Sequence, residues 1–85
     1  NIRAHKGVDY AAARGTPIRA AGNGIVDFIG RKGGYGRVII LKHLSDYTTL
    51  YAHMNSYNKK IKRGSRVKQG QVIGYVGSSG LATGP

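Results

Sequence analysis

The hydrophobic positions of this chain fall in short runs, each closed by glycine or a polar turn. The strongest unbroken run, Val38-Ile39-Ile40-Leu41, lies within a predicted strand over residues 37–44. Apolar side chains on both sides of a strand predict burial on both faces. Ser45-Asp46 reads as a turn and residues 47–54 as the next strand, so the two make an antiparallel hairpin. Upstream, residues 6–13 begin a strand. Gly15-Thr16-Pro17 predicts a turn, because proline fixes its own φ and glycine accepts a positive one. A short strand follows over 18–21. Gly22-Asn23-Gly24 contains the Asn-Gly pair of tight hairpins, which predicts that residues 24–30 return along 18–21. Residues 31–36 read as a flexible loop, and 55–66 as a basic surface loop or a single helical turn. Residues 67–76 form the last strand, bent at Gly70 and Gly74, and 77–85 are loop.

A faint repeat runs through this pattern. Gly15-Thr16-Pro17-Ile18 and Gly64-Ser65-Arg66-Val67 both read glycine, polar, any residue, apolar, and each leads into a glycine-punctuated strand. A duplicated hairpin unit and chance similarity between glycine-rich strands both explain it. No linker or domain boundary interrupts residues 1–85, which read as one small domain.

Composition supports the strands. Fourteen of 85 residues are glycine, about twice the usual share. Glycine opposes regular helix, while the β-branched and tyrosine-rich runs between the glycines favour strand. The expected fold is all-β, a small antiparallel sandwich or open barrel. No cysteine is present, which removes disulfides and thiolate metal sites. No apolar run approaches the length needed to span a bilayer as a helix. The first residue is asparagine, so an internal piece of a longer precursor is expected. Fourteen Lys and Arg stand against three aspartates and no glutamate, a formal charge of +11. Such a surface attracts nucleic acid, anionic lipid or the acidic polymers of a bacterial envelope.

The chemistry-bearing positions are few. In His5-Lys6-Gly7-Val8-Asp9, an imidazole and a carboxylate are both good zinc donors. On a straight strand, residues four apart lie about 13 Å apart, too far to share one ion. Gly7 and β-branched Val8 argue against a helical turn, which leaves a bend at Gly7. Alone, this spacing is a weak signal, and a surface histidine with a turn-forming aspartate is the more ordinary reading. His53 sits on the predicted 47–54 strand, where alternation puts it on one polar face with Thr49 and Tyr51. It suits the floor of a cleft, or a hydrogen-bonded partly buried histidine. His43 ends the central strand beside Ile39 and Leu41 and reads as structural, as do Asp27 and Asp46. Three scattered aspartates exclude a carboxylate pair for glycoside hydrolysis. No glycine-rich loop leads into a phosphate-binding helix, and no serine has a nucleophile-elbow context.

Taken in order, the segments resemble one family. His5-Lys6-Gly7-Val8-Asp9-Tyr10-Ala11 is similar to the H-x-G-x-D-Y/F metal motif of the lysostaphin-type (LytM-like) zinc endopeptidases. The run from Gly15-Thr16-Pro17 to Gly24-Ile25-Val26 resembles that family's G-T-P-V-x-A-x-x-x-G-x-V segment. Gly34-Tyr35-Gly36-Arg37-Val38 and Tyr51-Ala52-His53-Met54 resemble its next two strands. Val67-Lys68-Gln69-Gly70 and Gly77-Ser78-Ser79-Gly80, followed by Thr83-Gly84-Pro85, resemble its closing segment. Arg37 departs from the family's usual asparagine.

The resemblance implies an all-β peptidoglycan hydrolase acting on peptide stems and cross-bridges in the periplasm or at the cell surface. It implies one zinc ion held by His5 and Asp9, with His53 as a catalytic histidine beside it. The family's closing H-x-H motif follows the Gly-Pro that ends here at Pro85. A third protein ligand is therefore expected beyond Pro85, and the piece alone is expected to be inactive. The positive surface suits an anionic cell envelope. The alternative is a non-catalytic LytM-like module that binds and activates other wall hydrolases; its usual sign is loss of the motif residues, and His5, Asp9 and His53 are present. A basic barrel binding nucleic acid is disfavoured, because its six tyrosines are scattered over separate elements. No nucleic-acid partner is expected.

Overall fold

The computed structural model describes residues 13–77, together with the backbone of residues 5–7. The strands are β1 (His5–Gly7), β2 (Pro17–Arg19), β3 (Gly24–Lys32), β4 (Gly36–His43), β5 (Tyr47–Tyr57), β6 (Arg66–Val67) and β7 (Val72–Val76). They form one sheet in the order β2-β7-β5-β4-β3-β6, with β1 added to β5. All pairs are antiparallel except β1 with β5. The chain is all-β, and no helix occurs among the described residues.

The apolar run of β4 explains the shape. Ile39 and Leu41 point into a core shared with Ile18, Val26, Tyr51, Met54, Val67, Ile73 and Val76, residues contributed by every strand from β2 to β7. The sheet curls around this core as a half-barrel. Val38 points the other way, into a second cluster with Leu50 and Ala52, against which Phe28, Tyr35 and Ile40 pack. The prediction of burial on both faces holds because β4 and β5 lie in the middle of the sheet.

Several local expectations are corrected. Asn23-Gly24 does not close a hairpin: β2 pairs with β7, and β3 pairs with β4 and β6. The segment instead docks on the end of β4. The Asn23 carbonyl accepts a 2.7 Å hydrogen bond from His43 Nδ1, and Asn23 Oδ1 accepts one from the Gln69 amide. A Cβ on Gly24 would meet the Lys42 carbonyl oxygen at 2.5 Å, so glycine there serves close packing rather than a turn. Half of the expected loop over 31–36 is strand, and only residues 33–35 form the tight turn between β3 and β4. Beyond Met54, β5 runs on through Tyr57. The segment after it forms no helical turn and lays Ile61 into the core. The expected last strand is two strands on different partners, broken by a turn in which Gly70 has φ 85°.

The repeat is real in three dimensions. Gly15 and Gly64 have φ 87° and 91°. The Gly15 amide donates to the Val76 carbonyl, and the Val76 amide returns a bond to Thr16. The Gly64 amide donates to the Val26 carbonyl, and the Val26 amide returns a bond to Ser65. Each turn thus clasps the strand that follows the other copy.

Candidate active site

β5 carries the site. Along one edge it pairs with β4. Along the other, β1 and β7 lie end to end: β1 reaches Gly7 opposite Leu50, and β7 begins its pairing at Met54 with Val76. His53 sits between them. At that point β5 bulges. The register moves from Ile39↔Tyr51 to Arg37↔Met54, so Val38 faces two residues, Ala52 and His53.

The bulge places His53 in the left-handed region, at φ 55°. Such a conformation costs a non-glycine residue on the order of 1–3 kcal/mol and persists only where neighbours fix it. Here the His53 amide donates to the Tyr35 carbonyl at 2.9 Å, and its carbonyl accepts from the Gly77 amide at 3.1 Å. A Cβ on Gly77 would lie 2.4 Å from the His53 carbonyl oxygen, so only glycine permits that approach. The expectation that His53 shares a face with Thr49 and Tyr51 is overturned, because the extra residue breaks the alternation: Tyr51 and Met54, three apart, both enter the main core.

His53 is half-buried and opens on a cleft of about 210 Å³ lined also by Arg31, Gly36, Arg37, Met54, Asn55 and Gly77. Among the described residues neither of its ring nitrogens is hydrogen-bonded. His43 is the contrast. It is 7% exposed, its Nδ1 bonds the Asn23 carbonyl, and its Nε2 lies 2.8 Å from Thr49 Oγ1. Thr49 in turn bonds Tyr51 Oη, which also accepts the Ala21 amide. Both nitrogens of His43 are committed to structure, as its place beside Ile39 and Leu41 predicts. Asp27 is an exposed bulge residue of β3, and Asp46 lies in the β4–β5 turn with φ 63°.

The other predicted residues are only partly placed. β1 sets the His5 backbone opposite Thr48, five positions from His53, or about 16 Å along an ideal strand. The structure therefore brings the His5 backbone to the same edge of β5 that holds His53. β1 pairs with β5 through Gly7, and the course of the chain after it, where a bend is expected, lies outside the described residues. Asp9 lies outside the described residues, as does Pro85. Among the described residues no three His, Asp, Glu or Cys side chains cluster as a metal site. Arg31 and Gly77 were not singled out from sequence; their nearness to His53 depends on a hairpin register and a strand end that no local pattern encodes.

Among protein-family models, peptidase family M23 matches residues 3–85. The chain belongs to this family. It is 47% identical over 83 residues to a DD-carboxypeptidase/endopeptidase, Mpg, of Neisseria meningitidis, covering 98% of this chain and 19% of that protein. The chain thus spans about a fifth of that relative's length. The catalytic domain of lysostaphin from Staphylococcus simulans superimposes with a TM-score of 0.78 at 36% identity, covering 95% of this chain and 61% of that one. A zinc-containing peptidase from Vibrio cholerae superimposes with a TM-score of 0.75 at 34% identity, covering 91% of this chain and 23% of that one. The resemblance drawn from the motifs and the all-β half-barrel are both shown.

Proposed function

We propose that this chain is part of the catalytic domain of a zinc endopeptidase that hydrolyses peptide cross-links of bacterial peptidoglycan, at the cell envelope. One observation carries the reading. An M23 chain holds His53 in a strained, doubly tethered backbone geometry, where it lines a cleft shared with Arg31 and Arg37.

His5 and Asp9 are the residues that would hold zinc, with a third ligand from beyond Pro85. A neutral imidazole and a carboxylate suit that ion, which when bound polarises a carbonyl and acidifies water. His53 has the role of general base and then acid: one ring nitrogen takes a proton from the attacking water and delivers it to the departing amine. Its fixed backbone keeps the ring aimed without reorganisation. Arg31 and Arg37 line the same cleft and give it positive potential toward an anionic wall.

The test uses the full-length protein, with zinc content by mass spectrometry and clearing of a peptidoglycan suspension. Wild type holds one zinc and clears. His5→Ala is expected to lose both properties. His53→Asn, which tolerates the left-handed backbone, is expected to keep zinc and lose at least 100-fold in clearing rate. Wild-type clearing by His5→Ala would falsify the reading; zinc binding and wall binding without clearing would favour the non-catalytic module.

A further inference from the structure

We propose that Arg31 and Arg37 form a carboxylate-binding subsite beside His53, so that this chain selects peptides with a free carboxylate near the scissile bond. The inference rests on the peptidase reading and deepens it. Arg31 and Arg37 are direct partners across the β3–β4 hairpin. Directly opposite residues of an antiparallel pair share a face, with Cβ atoms about 4.5–5.5 Å apart, and like charges there are destabilising. Both side chains are exposed and both line the His53 cleft. The fields of both reach Tyr57, whose hydroxyl bonds the Gly30 carbonyl on the same hairpin.

Nothing described offsets the repulsion. The described acids are Asp27 and Asp46. Asp27 sits four positions back along β3, level with Leu41 and Ile40 in the register, and Asp46 lies at the opposite end of β4. Neither guanidinium enters the core. Two planar forks at one cleft wall match a carboxylate, which can accept paired hydrogen bonds from each and cancel their repulsion. The carboxylate has two possible sources in a peptide, its C-terminus or an acidic side chain. A neutral stretch of peptide cut far from any C-terminus offers neither near the scissile bond.

Binding to the metal-free full-length protein, measured by calorimetry at low salt, separates this subsite from catalysis. Three probes suffice: a short D-alanine-terminated peptide as the free acid, its C-terminal amide, and an amide carrying one glutamate side chain. At least one carboxylate form is expected to bind about tenfold more tightly than the neutral amide, and which one identifies the source. The doubly substituted Arg31→Gln, Arg37→Gln protein is expected to lose that preference while melting no lower than wild type, because the like-charge contact is gone. Equal binding of acid and amide forms, or a preference that survives the double substitution, overturns the proposal. A preference in a wild-type protein that clears no wall leaves the subsite standing and removes the peptidase reading instead.

Discussion

Two histidines of this chain differ in what their nitrogens touch, and that difference separates structure from chemistry. His43 ends a chain of buried hydrogen bonds through Thr49 to Tyr51 and the Ala21 amide. Thr49→Val keeps the shape but removes the hydroxyl that joins them. It is expected to cost about 1–3 kcal/mol, read as a lower thermal midpoint, because the buried His43 Nε2 loses its partner. His43 was legible as structural, since its apolar strand neighbours fix its face. The left-handed backbone of His53 was not legible, because nothing in Tyr-Ala-His-Met signals a bulge; the bonds that hold it come from residues 35 and 77. Gly77→Ala is therefore expected to lower both the melting temperature and the clearing rate, with no change in net charge. Tyr57 adds a pH effect. Burial pushes its phenol up, against a bond from the Val38 backbone and the pull of Arg37 and Arg31. With a folded-state value raised above the ordinary phenol range, the stabilising contribution is fully present below about pH 10 and is lost as pH climbs beyond it. Tyr57→Phe should flatten the fall in melting temperature above about pH 10.

At the level of elements, strands were read well and their partners poorly. The apolar run of β4 and the turn after it were clear in the sequence, because burial on both faces and a short connection are local signals. The Asn-Gly pair misled, because the segment is fixed by tertiary contacts with His43 and Gln69. Gly24→Ala tests that account: a methyl aimed at the Lys42 carbonyl oxygen should destabilise by about 1–3 kcal/mol, although the site is no hairpin. Asn58 is an element-scale feature that sequence reading left inside a generic loop. Its amide nitrogen donates to the Val72 carbonyl, and its side-chain oxygen accepts the Lys60 amide. These bonds turn the chain after β5 and let Ile61 reach the core. Of the candidate site, His53 alone has its side chain described; the link to Asp9 depends on residues outside those described.

For the whole molecule, charge and topology act separately. The +11 charge says nothing about the fold, but it sets how the domain meets a polyanion. The rate of wall clearing should fall several-fold as sodium chloride rises from about 0.05 to 0.5 M, while the melting temperature changes little, since long-range attraction is screened and the core is not. Topology governs how the chain reaches its native state. β2 has β7 as its strand neighbour, and the turn before it is bonded to Val76, 61 residues further on from Gly15. Loop closure on that scale makes folding slow and concerted. A chain emerging from the ribosome therefore carries β2 uncommitted until β7 has been made. Stopping synthesis at residue 71 should yield an unfolded product that proteases remove, rather than a shorter version of the same half-barrel.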